Sequence, residues 1–506
     1  MNTNSYWAET ARVPKFLPLR RDLEVDVAVV GGGITGVTAA YLLTKAGATV
    51  ALLERDRFGG GETGHTTAHL TCVTDTRLRE LVKTFGRDHA QAAWDAGTAA
   101  INQIHEIIEA EKLACEFHWV PGYLHAPMSK RTDSGEIAAL QDDAKLAVEL
   151  GFDAKFVECA PFVDCPGVRF ANQALFHPQK YLTGMLKTLK ARGCQLFENT
   201  EGSEIQVDPA VVKANGHTIR CKFVVIATHV PLQGATGTIS AALFQTKLAA
   251  YSTYAIGAQI PKGAAPQASF WDTADPYFYV RIEHRKTHDY AILGGADHKT
   301  GQARDPERHY ARVEKRLRQV LPQAKIDHRW SGQVIETHDG LPFIGETASG
   351  QFVATGFSGN GMTFGTLSAM MAVDAFAKRK NPWSQLFDVN RKKLSGVWDY
   401  LVENKDYPFY MAKEWLAKPG ANSLRGVKRG EGKIVLLGGS KVAAYRDDNG
   451  KLSVKSAVCT HMGCIVRWNG AEKTWDCPCH GSRFQATGEV MAGPAETPLA
   501  ERDELA

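Results

Sequence analysis

Val25–Val30 is a short β-branched apolar run that ends in glycines. Ile34–Ala46 then has helical composition, and Val50–Leu53 is a second apolar run. A buried strand, a turn, a helix and another buried strand open a parallel α/β sheet. Apolar positions recur at helical spacing over about 77–112, as at Leu78, Leu81 and Val82 and again at Ile104, Ile107 and Ile108, and over 134–150. Phe223–Ala227 predicts a further buried strand, whereas the alternation from Tyr277 to Leu293 predicts antiparallel pairing. Phe352–Thr355 reads as a strand, Gly356–Gly361 as a glycine-rich turn and Thr366–Ala377 as a helix. Near residue 380 the texture changes. Residues 381–423 read as a linker with one helix, and after Leu424 short strands alternate with turns such as Asp448-Asn449-Gly450. That pattern predicts a small all-β domain over 424–506.

Composition narrows the class. The chain has 506 residues, 44% hydrophobic and 23% charged, which excludes a disordered, collagen-like or coiled-coil protein and suggests about three domains. Lys+Arg minus Asp+Glu is 59 − 55 = +4, so no basic field points to nucleic acid. Met1–Glu24 lacks the apolar core of a signal peptide, and no run of about eighteen apolar residues predicts a transmembrane span. The expectation is a cytoplasmic protein. Of the ten cysteines, six are scattered and receive no role, while Cys459, Cys464, Cys477 and Cys479 share one short window.

Two motifs carry chemistry. Gly31-Gly32-Gly33-Ile34-Thr35-Gly36 is a G-x-G-x-x-G between strand and helix. Gly31 permits the turn, Gly33 lets backbone approach a pyrophosphate, and Gly36 lets helix and strand pack closely. The helix N-terminus favours phosphate, and Glu54, 18 residues after Gly36 at a strand end, suits ribose hydroxyls. No second such motif follows a strand. The other motif is C-x-H, a 15-residue gap, then C-x-x-H: Cys459, His461, Cys477 and His480. Two thiolates and two imidazoles fit a [2Fe–2S] cluster with a His pair on one iron, and they also fit tetrahedral zinc.

Around the first motif, Glu54–Leu70 (ERDRFGGGETGHTTAHL), Asp339–Gly345 (DGLPFIG) and Ala354–Gly365 (ATGFSGNGMTFG) resemble the flavin-contacting segments of the D-amino-acid oxidase, glycine oxidase and sarcosine oxidase superfamily. The resemblance covers most of residues 25–380 and implies FAD. It places Gly31, Gly33 and Gly36 on the pyrophosphate and Glu54 on the adenosine ribose. Gly64, His65, Thr66 and Thr67 fall near the flavin ring, Gly202 near adenine, and Gly359, Gly361, Met362 and Thr363 beside the pyrimidine side. In related dimethylglycine and sarcosine dehydrogenases a His of this loop is bonded covalently to FAD. His65 stands there, but Gly64 replaces the usual preceding Trp, and a plain hydrogen-bonding role stays open.

The window from Cys459 resembles a Rieske domain. The likeness implies Cys459 and Cys477 on one iron, His461 and His480 on the other, and a disulfide between Cys464 and Cys479. It also implies a hydroxyl donor at Ser482. Phe484 stands where high-potential members have Tyr, which predicts a lower potential than that of the respiratory-complex proteins.

The whole chain resembles bacterial flavoproteins with a C-terminal Rieske domain. The implied fold is an α/β FAD-binding Rossmann-like domain with an interleaved antiparallel-sheet substrate domain, plus the all-β Rieske domain. The oxidoreductase part is 1–380, with a nucleotide lobe of about 25–80, 175–240 and 335–380 and a substrate lobe of about 81–174 and 241–334. The implied activity is dehydrogenation of a small amine or amino-acid-like substrate, with electrons leaving singly through the cluster to an external acceptor. Tyr277, Tyr279 and Arg281 alternate on one strand face and are the substrate-site candidates, Arg281 as a carboxylate clamp. Two alternatives stand beside this. One is an electron-transfer or redox-sensing module without a metabolite substrate. The other is a Rieske-type oxygenase, for which His65/His69 and His284/His288 are the i, i+4 His pairs.

Overall fold

The computed structural model describes residues 4–128, 134–207, 209–231, 247–303, 305–391, 406–417, 420–421 and 423–502. The predicted linker's 392–405 and the lobe boundary at 232–246 lie outside the described residues.

The apolar run Val27–Val30 is fully enclosed because it is a central strand. It pairs in parallel with Val50–Leu53 on one side and Phe223–Ile226 on the other. Gln195–Phe197 and Gln351–Thr355 extend the parallel sheet, and Phe343–Ala348 closes one edge antiparallel. The helix Ile34–Lys45 packs on this sheet and against the helix Gly361–Phe376. Both helices are buried nearly all round, which accounts for their apolar, poorly amphipathic sequences. A small four-stranded sheet built from Leu23–Glu24 and the strands within 202–220 flanks this unit.

A second, larger sheet has nine strands. Phe278–His284 and Asp289–Lys299, the stretch that alternates, pair antiparallel as expected, and Leu248–Ile260 and Lys325–Thr337 continue the antiparallel order. One junction differs: Ser269–Asp272 runs parallel to Gly122–His125. Alternation reports which face is buried, not the direction of the neighbouring strand, so nothing local encodes that junction. The predicted helical stretch 77–112 is two helices, Leu78–Phe85 and Arg87–Glu111, broken at Gly86, whose φ is +85°.

The C-terminal unit holds a three-stranded sheet over 431–456 and a four-stranded sheet over 467–492, both antiparallel. One cysteine-bearing loop, 459–464, joins the two sheets, and the other, 477–482, joins two strands of the second. This unit docks on the large sheet. Gln333 Nε2 donates to Gly481 O at 2.8 Å, and Gln302 Nε2 donates to Pro478 O at 3.1 Å. The approach is close enough to need glycine on both sides. A Cβ on Gly301 would lie 2.6 Å from the Cys477 carbonyl carbon, and one on Gly481 would lie 2.4 Å from Ala250 Cβ. The helix Asp406–Leu416 joins the contact, where Glu414 pairs with Arg467, and Arg467 Nη1 also donates to Gly301 O at 3.3 Å.

Candidate active site and metal centre

A cavity of about 610 Å³ runs from the glycine turn to the large sheet, within the usual range for a cofactor or substrate site. Gly31 begins it in a left-handed conformation (φ +109°), with its N–H donating to Leu53 O at 2.8 Å. A Cβ there would meet Ala227 O at 2.4 Å. Gly33 is the N-cap of the helix Ile34–Lys45 and lines the cavity, while the first helical N–H, of Ile34, donates to Thr63 Oγ1 at 3.0 Å. Gly36 does not reach the cavity wall. A Cβ on it would lie 1.9 Å from Gly31 O, so its part is the close packing behind the turn. Glu54 lines the cavity with its carboxylate aimed at the turn, accepting from Gly32 N and Asp56 N, each at 2.8 Å. Gly202 lines the wall beside Thr200 and Glu201.

Farther along, His65, Thr66 and Thr67 line the cavity, with His65 Nδ1 3.0 Å from Gly61 O. Gly64 sits behind them, where a Cβ would lie 2.4 Å from Gly59 O. Gly359, Gly361 and Met362 line the opposite side. Thr363 is buried behind them, donating to Thr71 O at 3.0 Å.

Of the three substrate-site candidates the structure brings two to the cavity. Tyr277 and Tyr279 line it, their rings 5.4 Å apart. Arg281 is the correction. It shares their strand face but lies beyond the cavity, fully buried. It donates to Thr67 O, Ala68 O and Phe176 O, pairs with Glu283 and stacks on Trp7. Alternation fixes a face but not how far the cavity extends along it. A guanidinium engaged by these acceptors is no substrate clamp.

Several wall residues carried no sequence signal: Asp75, Thr253, Trp271, Asp297 and Gln333. They come from segments far apart in the chain. Val490–Glu496 of the C-terminal unit also line the cavity, and Arg55 Nη2 donates across to Met491 O at 3.2 Å. Among the described residues, Arg55 and Arg57 are the arginine or lysine side chains on the wall.

The two cysteine-bearing loops share one geometry. Cys459 N donates to Cys464 O and Cys477 N to Ser482 O, each at 2.7 Å, while Gly463 N and Gly481 N return to Cys459 O and Cys477 O at 3.0 Å. The loops are tied by the Cys464–Cys479 disulfide, with Cα atoms 6.5 Å apart. Cys459 and Cys477 are buried free thiols that hydrogen-bond each other. That bond, with backbone N–H groups of His461 and Met462 and the Ser482 hydroxyl, brings Cys459 down to about 7. The same bond pushes Cys477 up. The His461 and His480 rings lie 4.9 Å apart, and burial pushes them down to about 4 and about 3. Both imidazoles are therefore neutral near pH 7, the form that ligates metal. Cys464, Cys477 and Cys479 also bring their sulfurs within 4.8 Å of one another, but the disulfide occupies two of them. The donor set left is two thiols and two imidazoles, which fits the cluster and its His pair.

The family model described as FAD dependent oxidoreductase matches residues 26–375, and the one described as Rieske [2Fe-2S] domain matches 421–502. A protein of Bacillus subtilis (strain 168) named "Putative Rieske 2Fe-2S iron-sulfur protein YhfW" is 32% identical over 99% of this chain and 97% of its own. The gamma-glutamylputrescine oxidoreductase of Escherichia coli (strain K12) is 25% identical over 72% of this chain and 86% of its own. The crystal structure of glycine oxidase from Geobacillus kaustophilus matches with a TM-score of 0.60, over 73% of this chain and all of that one, at 19% identity, a likeness of fold. No helix among the described residues is long and apolar enough to cross a membrane.

Proposed function

Because the chain belongs to the FAD dependent oxidoreductase family and ends in a Rieske [2Fe-2S] domain, we propose that it is a dehydrogenase joining the two centres. It oxidises a C–N bond of a small amine or amino-acid-like substrate and sends the electrons singly through the cluster to an external acceptor. FAD supplies two-electron chemistry and the cluster one-electron transfer. Gly31, Gly33, Glu54 and Gly202 hold the nucleotide end of FAD, with Gly36 packed behind the turn. His65, Thr66, Thr67, Gly359, Gly361 and Met362 face its ring, with Gly64 and Thr363 supporting them. Cys459, His461, Cys477 and His480 hold the iron.

The observation that carries this reading is Gln333. It lines the cavity, and its amide donates to Gly481 O, next to the ligand His480. One residue thus touches both compartments, which fits electron transfer within the chain. Anaerobic mixing with a panel of amines, amino acids and hydroxy acids tests the reading. One class is expected to bleach the flavin, with a reduced-cluster signal following. Bleaching by none of them would favour a redox module without a metabolite substrate. Gln333→Ala is expected to slow the second phase by up to about tenfold, the worth of one hydrogen bond, and to leave the first unchanged.

Ser482 is fully buried, hydrogen-bonds the Cys459 sulfur and accepts from Ala495 N at 3.1 Å. Losing a charge-assisted hydrogen bond of about 1.5 kcal/mol corresponds to about 60 mV for one electron. Ser482→Ala is expected to lower the cluster midpoint by that amount in a redox titration.

A further inference from the structure

We infer that the substrate of this cavity is a protonated alkylamine lacking a carboxylate, held by its ammonium group between Asp75 and Asp297. The conclusion rests on the C–N dehydrogenase reading and narrows its substrate class. The two carboxylates come from different segments that line the cavity. Asp75 Oδ2 accepts from Gly359 N at 2.7 Å, the Tyr277 hydroxyl bonds the same carboxylate, and its surface opens to the cavity. Asp297 lies on the strand Asp289–Lys299 and accepts from the Thr253 hydroxyl, which is 2.9 Å from Tyr279 OH.

Among the described residues neither carboxylate forms a salt bridge. The Asp297 Oδ1 atom is buried without a hydrogen-bond partner, and so is Oδ1 of Asn360, a residue only 4% exposed. Carboxylates and amide oxygens only accept, so the polar atoms left without partners here call for a donor-rich cation. Enclosure raises the pKa of Asp75. Enclosure also brings Asp297 up to about 7, with Asp75 and Asp275 adding repulsion and the exposed Arg312 and the Thr253 hydroxyl opposing it. Asp297 is partly enclosed and Asp75 is exposed on the cavity wall, and a bound ammonium would neutralise both. Aromatic wall from Trp271, Tyr277 and Tyr279 suits the alkyl part and the cation.

Among the described residues, the cavity wall holds no arginine or lysine besides Arg55 and Arg57 to take an α-amino acid's carboxylate. Arg281 is engaged elsewhere. Arg55 and Arg57 flank Glu54 and are directed at Asp56 and Glu198. His69, which meets the Tyr279 ring edge-on, is driven down to about 3 by burial and stays neutral.

The site also balances the proton. Bound R–CH2–NH3⁺ passes one N–H proton to the Asp297 carboxylate, which becomes the acid. FAD, when bound, would supply the hydride acceptor for the neutral amine's α-hydrogen, and the R–CH=NH2⁺ product would lie between the same oxygens.

Two isosteric probes test this on the FAD-loaded, full-length protein by calorimetric titration. tert-Butylamine is a cation with no α-hydrogen, and trimethylacetate is its anionic counterpart. The amine is expected to bind at least tenfold tighter than the acid. Asp297→Asn and Asp75→Asn are each expected to weaken the amine at least tenfold with FAD content unchanged. Equal or tighter binding of trimethylacetate overturns the inference, and so does an Asp297→Asn protein with wild-type amine affinity. If either variant fails to fold, the two-probe comparison on the unmodified protein still decides. Amine binding with no compound bleaching the flavin would remove the dehydrogenase reading and leave the cation site. Bleaching by α-amino acids but not by simple amines would remove the cation site and leave the dehydrogenase.

Discussion

His480→Gln is expected to leave a flavoprotein without its iron. The His480 ring faces His461 at 4.9 Å, and burial keeps both neutral. The loop that carries it is held independently of metal, by the Cys464–Cys479 disulfide and by the Cys477 N–Ser482 O and Gly481 N–Cys477 O hydrogen bonds. The substitution therefore removes a ligand without releasing the loop. Loss of supporting hydrogen bonds alone weakens metal sites by about 10- to 100-fold, and loss of a ligand is more severe. The expected result is an iron-to-flavin ratio at least about tenfold lower. FAD content and anaerobic bleaching by substrate should stay normal, and electron delivery to the acceptor should be abolished. A variant that keeps its full iron content would remove His480 from the ligand set.

Gly36→Val is expected to abolish FAD retention. The obstacle is backbone: a Cβ at residue 36 would lie 1.9 Å from Gly31 O and 3.3 Å from Val29 Cγ1. Gly31 cannot retreat, since its N–H is held by Leu53 O and its other side abuts Ala227 O. Helix and turn must separate, and overpacking of this kind costs about 1–3 kcal/mol, with more where the contact is backbone. The displaced turn is the one that would receive the pyrophosphate, so affinity falls along with stability. The checks are the flavin-to-protein ratio after gel filtration and the melting temperature with and without added FAD. A variant that purifies fully yellow would show that the turn is not the cofactor cradle.

What was legible in the sequence was local. Strand, glycine turn, helix and Glu54 lie within about thirty residues, and the spacing of Cys459, His461, Cys477 and His480 is set by two loops of one shape. The substrate end was not legible because it is assembled from distant pieces. Asp75 follows one short strand, Thr253 and Asp297 sit on neighbouring strands of the large sheet, and Asn360 precedes a helix. Arg281 shows the limit of periodicity. The alternation put it on the right face, and only the packing of Thr67, Ala68 and Phe176 around its guanidinium showed that the cavity ends before it. Gln333 and Gly301 gave no signal, since a contact between domains leaves no period in either sequence.

The wall formed by Val490–Glu496 has a consequence for biosynthesis. These residues are translated more than a hundred positions after the last strand of the nucleotide sheet, which ends at Thr355. Domains emerging from the ribosome fold largely in order, N-terminal first. The nascent flavin domain therefore has its cofactor cleft formed while that wall does not yet exist, and FAD can enter from the side that is later covered. The cysteine-bearing loops are completed only near the end of synthesis. The two sites thus form in chain order, the nucleotide cleft first and the cysteine-bearing loops second.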